Sequence, residues 1–146
     1  MPTQLSKNFT LEELCVTDTG IDNVPDDAHK EKLFRLANSL LQPVRDKWGA
    51  VRVNSGFRCA AVNKKIGGAP TSQHMQGEAA DIFPLNASID DVFAWCRHNL
   101  EFGQLILENI LVNGTDIRWI HISLPRMDKP NMQVMAYKNG AYKNLS

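Results

Sequence analysis

The stretch that most strongly predicts the fold lies at residues 104–124 and reads QLILENILVNGTDIRWIHISL. Two runs rich in apolar and β-branched residues, Gln104–Val112 and Ile117–Leu124, flank the dipeptide Asn113-Gly114. Asn-Gly between two such runs is typical of the two-residue turn of a β-hairpin. The stretch therefore predicts two antiparallel strands joined by a tight turn.

The length of this turn fixes which side chains share a face of the sheet. With a two-residue turn, Ile106 lies opposite His121, and Glu108 lies opposite Trp119. Because side chains alternate between faces along a strand, Glu108 and His121 then share a face as diagonal neighbours, about 7–8 Å apart at the backbone. Asp116 falls on the opposite face. A bulge or a longer loop would reverse this assignment.

The rest of the chain predicts helices followed by strands and one further helix. Helix signals begin at Thr10, Pro25 and Ser88, where capping residues precede apolar residues in helical spacing. Pro43 is expected to kink or split the second of these helices. Further strands are expected at 51–54 and 79–83, with a smaller terminal hairpin at 132–142. We predict an α+β fold with helices packed on a mainly antiparallel sheet, in a single domain over residues 1–146.

The composition limits the classes of partner. The chain has 146 residues, of which 43% are hydrophobic, and its 16 basic and 16 acidic residues balance. This neutral balance argues against a broad surface for nucleic acid or anionic membrane. No apolar run is long enough for a signal peptide or a membrane span, so we expect a protein made in the cytoplasm. We also expect it to be a monomer.

The cysteines argue against a thiolate metal site. Cys15, Cys59 and Cys96 are scattered, odd in number and form no CxxC pair. We expect free thiols in a reducing compartment.

The first chemical signal is a histidine and an aspartate in the segment 72–81, SQHMQGEAAD. Gly77 allows the backbone to turn, so that His74 on a loop and Asp81 on a strand can point at one place. His121 lies inside an apolar strand, where a lone histidine is more often a core residue than a ligand. Together the three residues offer two imidazoles and one carboxylate, a set that leaves a fourth position for water in catalytic zinc sites.

The combined pattern resembles a known family. Ser72-x-His74-x-x-Gly77-x-Ala79-x-Asp81, followed by Trp119-x-His121, is similar to the zinc D-alanyl-D-alanine carboxypeptidases. That family includes phage endolysin peptidases and is related to the hedgehog signalling domain. The stretches 42–45, 55–58 and 67–69 resemble the family too, so that the resemblance runs from about Phe9 to Leu124. It implies a hedgehog or D-Ala-D-Ala peptidase-like fold.

The resemblance also implies roles for individual residues. His74, Asp81 and His121 match the ligands of Zn²⁺, and Glu108 matches the catalytic acid that lies upstream of the last histidine. Some members instead carry an acid three residues before that histidine, where this chain has an arginine at position 118. At position 58 the chain has an arginine that contacts the substrate in some members, and at position 72 it has a serine that either contacts substrate or shapes the loop.

The expected function is that of a zinc metallopeptidase that hydrolyses peptide bonds of bacterial peptidoglycan. A D-Ala-D-Ala carboxypeptidase and an endopeptidase of the stem or cross-link both remain open, and the protein would reach the cell wall through lysis. One alternative is a non-catalytic, zinc-stabilised binding module or virion structural component, which would not need Glu108 to face the metal. Another is a zinc hydrolase that acts on an amide outside the wall.

Overall fold

The computed structural model describes residues 2–146 as an α+β fold built on a six-stranded sheet, which confirms the predicted class. The helices are α1 (Leu11–Leu14), α2 (Asp27–Leu36), α3 (Gln42–Trp48), α4 (Ala60–Lys65) and α5 (Ile89–Asn99). The strands are β1 (Val51–Ser55), β2 (Ala79–Pro84), β3 (Gln104–Val112), β4 (Thr115–Ser123), β5 (Gln133–Lys138) and β6 (Ala141–Asn144). A short 3-10 turn spans Gln73–Gln76.

The strand order is β1-β2-β4-β3-β5-β6, and the sheet is mainly antiparallel, as predicted. Strands β3 and β5 form a parallel pair, and the other neighbouring strands are antiparallel. The sequence predicted the terminal hairpin but not its attachment to the edge of β3. Among residues 2–146, no helix is long and apolar enough to cross a membrane.

Side-chain caps start the helices where the sequence predicts them. Thr10 forms a reciprocal capping box with Glu13 at the start of α1. The side chains of Asp26 and Ser88 accept hydrogen bonds from backbone N–H groups in the first turns of α2 and α5. These bonds satisfy donors that have no partner inside the helix, which is why the helices begin at these residues.

Pro43 splits the long N-terminal helix, as expected. The segment Ala37–Leu41 is π-helical, and the Gln42 N–H donates to the carbonyl oxygen of Ala37, five residues back. Proline has no N–H and cannot continue the regular helical ladder, so the chain inserts a wider turn before it. Gly49, with φ of 83°, then ends α3.

The central hairpin has the predicted register. Asn113 and Gly114 have φ angles of 50° and 79°, so the turn contains two residues. Ile106 pairs with His121, and Glu108 pairs with Trp119. The sequence-based prediction of which side chains share a sheet face is therefore confirmed.

The hydrophobic core lies between the helices and one face of the sheet. Its buried members include Leu33, Leu36, Leu40, Phe93, Cys96, Ala80, Ile82, Leu105, Ile120 and Ile122. Because side chains alternate along a strand, Asp81, Glu108 and His121 lie on the opposite face. The three cysteines are free thiols.

Candidate metal centre

Three potential metal ligands meet on the face of the sheet opposite the helices. Asp81 on β2 pairs directly with His121 on β4, and His74 reaches the pair from the 3-10 turn. The Oδ1 atom of Asp81 lies 3.0 Å from Nδ1 of His121 and 3.3 Å from Nε2 of His74. One ligand atom from each residue lies within 4.8 Å of the other two. Three separate elements therefore deliver their donors to one point.

The orientation of His74 is fixed by its other ring nitrogen. Its Nδ1 atom lies 2.7 Å from the carbonyl oxygen of Gly56, which can only accept a hydrogen bond. Nδ1 therefore carries the proton, and Nε2 is left with its lone pair toward Asp81. The ring is only 3% exposed, and burial lowers its pKa from the ordinary value, which favours the neutral form that binds metals.

The loop that carries His74 is shaped by its own sequence. Ser72 begins the 3-10 turn, where its Oγ atom accepts a hydrogen bond from the His74 N–H at 3.1 Å. Gly77 ends the turn with φ of 75°, a left-handed conformation that glycine adopts without strain. A Cβ atom at Gly77 would come within 2.9 Å of the carbonyl oxygen of His29 on α2. His29 itself is half-buried against Phe57, with ring centroids 4.9 Å apart.

The carboxylate of Asp81 stands between cationic and potentially cationic groups. Burial raises its pKa, but the charge interactions and hydrogen bonds of His74 and His121 outweigh burial and hold the pKa below its ordinary value. The second carboxylate oxygen, Oδ2, lies 3.4 Å from Nη2 of Arg58. Asp81 is therefore a charged ligand candidate with both of its oxygens engaged.

The donor set fits a metal ion of the zinc type. Two imidazole nitrogens and one carboxylate oxygen are ligands that zinc accepts, and three protein ligands leave a position for water or substrate. Without an ion, the buried imidazole of His74, the buried carboxylate of Asp81 and the partly buried imidazole of His121 would share one small space. The residues at positions 74, 81 and 121 could thus hold a metal with catalytic rather than structural coordination.

Glu108 lies in a cleft beside this group. The cleft has a volume of about 250 Å³, and the residues that line it include Ser72, Glu108, His121 and Tyr142. The Nε1–H of Trp119 donates a hydrogen bond to Oε2 of Glu108 at 2.8 Å. Burial, followed by the charge of Asp81, raises the pKa of Glu108 above its ordinary value. A carboxylate with these properties suits proton transfer.

The competing acidic and basic positions lie elsewhere. Asp116 pairs with Leu111, three register positions from the Glu108–Trp119 pair, so it lies on the opposite face of the sheet from Glu108, and it is exposed. The Nη2 atom of Arg118 lies 2.6 Å from Oδ1 of Asp90 at the start of α5. The arginine that replaces the acid of some family members therefore binds a helix terminus on the core side of the sheet.

Arg58 is held by three side chains. Its Nε–H donates to Oγ of Ser55 at 3.0 Å, Nη1 lies 3.5 Å from Oδ1 of Asn63, and Nη2 faces Asp81. Arg58 lines a separate depression from the cleft that contains Ser72 and Glu108. The two residues expected to contact substrate therefore lie in different depressions.

Sequence reasoning missed the residues that support this arrangement. Asn23 is buried and hydrogen-bonds to the segment that carries Arg58, with Nδ2 lying 2.8 Å from the Phe57 carbonyl oxygen. A Cβ atom at Gly56 would overlap the Leu14 carbonyl oxygen. The pKa of Tyr142 is raised by partial burial and then by the charge of Glu108. Asn23 gave no local signal. Gly56 lies in the stretch 55–58 that resembles the family, but its close approach to Leu14 was not predicted. Tyr142 could be placed only by knowing that β5 pairs with β3.

Comparison with protein families agrees with this geometry. Residues 7–123 match the family model described as Peptidase M15, which covers most of the chain. A search of curated proteins found no match. The family match confirms the resemblance predicted from the sequence, and it shows a peptidase that acts on a peptide substrate.

Proposed function

We propose that this chain, which belongs to the Peptidase M15 family, is a zinc-dependent peptidase that hydrolyses peptide bonds of bacterial peptidoglycan. The observation that carries the proposal is the group formed by His74, Asp81 and His121 with an acidic side chain, Glu108, in the adjoining cleft. A D-Ala-D-Ala carboxypeptidase and an endopeptidase of the stem or cross-link are the two forms that this activity can take.

In this proposal His74, Asp81 and His121 hold Zn²⁺. A zinc ion in such a site lowers the pKa of water and polarises the carbonyl group of a substrate. Asp81 supplies one negative charge to the site, and the Gly56 carbonyl keeps His74 in the tautomer that binds metal. Removing hydrogen-bond partners that orient ligands typically weakens metal binding by about 10–100-fold.

Glu108 is the proposed general base and acid. It takes a proton from the attacking water and delivers it to the nitrogen of the leaving group. Within residues 2–146, the Glu108 side chain accepts one hydrogen bond, from Trp119 to Oε2. Its other oxygen, Oε1, is therefore left for this proton transfer. A module that only binds would not need a half-buried acid at this position, and this observation favours the enzyme over the binding or virion structural alternative.

Arg58 and Ser72 are the proposed substrate contacts. The guanidinium of Arg58 suits a peptide carboxylate because it offers a fixed fork of N–H donors. The Ser72 hydroxyl lines the cleft while it caps the 3-10 turn, so that a substrate contact would add to its structural role.

The unit of activity is proposed to be a single domain over residues 1–146, acting as a monomer on the cell wall after release by lysis. One hydrophobic cluster joins all the helices except α4 to the sheet, which supports a single folding unit. A chain of this length can bury enough apolar surface to fold without the metal.

The test is a digest of purified peptidoglycan by the zinc-loaded protein, followed by mass analysis of the products. We expect products with new amino and carboxyl termini, their loss on addition of a chelator, and their recovery when zinc is restored. Glu108→Gln, loaded with zinc to the same content, is the matched control and should release almost nothing. Cleavage that persists in chelator would refute the zinc requirement, and zinc-dependent sedimentation with the wall without any cleavage would favour the binding module.

A further inference from the structure

A further depression adjoins the Glu108 cleft. It has a volume of about 650 Å³ and lies between helix α2, residues 70–78 and the loop 125–129 that follows β4. Thr71 and Arg126 line both this depression and the cleft, so the two spaces meet at these residues. We call it the Arg126 trough and define it by Lys32, Arg35, Thr71, Glu78, Arg126 and Lys129. Its size lies within the range for small-molecule sites.

Positive charge predominates in the trough, although the chain as a whole is neutral. Of the described residues that line it, the basic ones are Lys32, Arg35, Arg126 and Lys129, and the acidic ones are Glu78 and Asp128. Glu78 is already matched by Lys32, whose Nζ atom lies 3.9 Å from its Oε2 atom. Asp128 is exposed to water, which screens its charge. The trough therefore attracts an anionic group more strongly than a neutral one.

Arg126 has a fixed backbone and an unoccupied side chain. Its N–H donates to Oδ1 of Asn131, and its carbonyl oxygen accepts from Nδ2 of the same residue, both at 2.9 Å. The residue is half-buried, yet its guanidinium makes no hydrogen bond or ion pair with any residue from 2 to 146. All five of its N–H donors are therefore left for a ligand.

The position of Arg126 relates the trough to the proposed reaction. Among the described cations of the trough, Arg126 is the one that also lines the cleft with Glu108 and His121. A peptide bound in this cleft therefore has Arg126 as part of its binding wall. A guanidinium can bind a carboxylate with two parallel charged hydrogen bonds, whereas an uncharged amide in the same place loses the charge interaction.

We propose that Arg126, aided by Lys129, selects peptides that carry an acidic group on an internal residue, by binding its carboxylate in the trough. This inference rests on the proposed peptidase function and specifies its substrate class as acidic peptides. The carboxylate is distinct from the terminal one assigned to Arg58. Arg126 and Lys129 lie beyond residue 123, where the family match ends, so the match by itself does not imply this preference. Arg126 acts as a specificity residue and takes no part in proton transfer.

The test compares two synthetic stem peptides that differ at one internal residue, which carries a free carboxylate in the first and its primary amide in the second. We expect kcat/KM of the zinc-loaded wild type to be about tenfold higher for the acidic peptide, between the effects of an exposed ion pair and of a strong hydrogen bond to a charged group. Arg126→Gln should lose this preference but keep the wild-type zinc content and the wild-type rate on the amide peptide. Arg45→Gln is the matched control and should keep the preference, because Arg45 is also half-buried, makes no side-chain hydrogen bond within residues 2–146 and lines neither depression.

Equal cleavage of the two peptides by the wild type, or an unchanged preference in Arg126→Gln, would overturn the subsite and leave the peptidase function standing. If the zinc-loaded wild type cleaves neither peptide, the proposed function is wrong, and the trough is judged by binding to the metal-free protein. In that measurement, the α-amide of N-acetyl-D-glutamate should shift the NMR signal of the Arg126 Nε–H group, whereas N-acetyl-D-glutaminamide should not.

The binding measurement has its own contrary results. Equal shifts with both compounds, or a shift with neither, would overturn the subsite independently of catalysis. Inorganic phosphate at the same ionic strength is the third probe. A shift with phosphate and none with the glutamate derivative would assign the trough to a phosphate-containing polymer and overturn its role in binding a peptide.

Discussion

Replacing Asn23 by alanine should destabilise the fold and weaken metal binding, although Asn23 touches none of the candidate ligands. Its Nδ2 atom donates to the carbonyl oxygens of Cys15 and Phe57, at 3.0 and 2.8 Å, and its Oδ1 atom accepts from the Cys59 N–H at 2.8 Å. Asn23 thereby joins the loop after α1 to the segment that contains Gly56 and Arg58.

The expected loss follows from these three hydrogen bonds. Each contributes about 1 kcal/mol to stability, so that Asn23→Ala should lower the free energy of unfolding by about 3 kcal/mol. The side chain is only 9% exposed, so water cannot readily replace the lost partners. For a chain of this size, about 3 kcal/mol corresponds to a fall of about 6–12 °C in the melting temperature.

Asn23→Ala should also weaken metal binding. The Gly56 carbonyl orients His74, and Arg58 faces Asp81, so loosening this segment removes support from two ligands. We expect zinc affinity to fall by about tenfold, the lower end of the range for losing a partner that orients a ligand. The lower end applies because Asn23 holds the segment that contacts the ligands and does not contact a ligand itself.

The assays are urea and thermal unfolding of the metal-free protein and competition for zinc with a chelator of known affinity. Asn86→Ala is the matched control, because Asn86 is exposed and makes no side-chain hydrogen bond within residues 2–146. If the free energy of unfolding falls no further in Asn23→Ala than in Asn86→Ala, the hydrogen bonds of Asn23 do not stabilise the loop after α1 as inferred. If Asn23→Ala shows the whole expected loss of about 3 kcal/mol but binds zinc as tightly as the wild type, the inferred link between Asn23 and the metal ligands is refuted.

Four further predictions test the candidate site directly. Glu108→Gln should keep its zinc content while turnover falls by about 10²–10⁴-fold, whereas Asp116→Asn should be nearly neutral; the reverse pattern in a peptide assay would move the base to the other face. His121→Ala should lose most of its zinc in metal analysis, and a full equivalent of zinc would remove it from the ligand set. Chelation should lower the melting temperature yet leave a cooperative transition in calorimetry, because the core is large enough to fold without metal; a chelated protein with no transition would contradict this. Arg58→Ala should slow cleavage of free-carboxylate peptides more than of amidated ones, with poor rescue by Arg58→Lys, and equal losses on both would make the arginine structural.

The local signals in the sequence predicted much of the fold. The turn at Asn113-Gly114 has a narrow range of backbone angles, so its length set the register of the central hairpin and placed Glu108 on the His121 face. Thr10 and Ser88 cap helices because their side chains bind backbone donors three residues away. In each case the interacting groups are close in sequence, and the chain needs no distant partner to form them.

Other features depend on partners far apart in sequence. Strand β5 could have paired with either edge of the sheet, and its parallel pairing with β3 is what brings Tyr142 to the Glu108 cleft. The sequence also gave no indication that Arg118 would bind Asp90 rather than face the cleft. Such contacts are selected by packing of the whole chain, which residue types and spacing do not encode locally.

The sequence by itself determined the donor types, the element on which each candidate ligand lies and the sheet face shared by Glu108 and His121. Only the tertiary structure decided that Asp81 pairs directly with His121, that the Gly56 carbonyl fixes the His74 ring, and that Arg58 opens onto a groove of its own. The physical reason is that periodicity and turn chemistry act over a few residues, whereas these contacts join segments that only the folded core brings together.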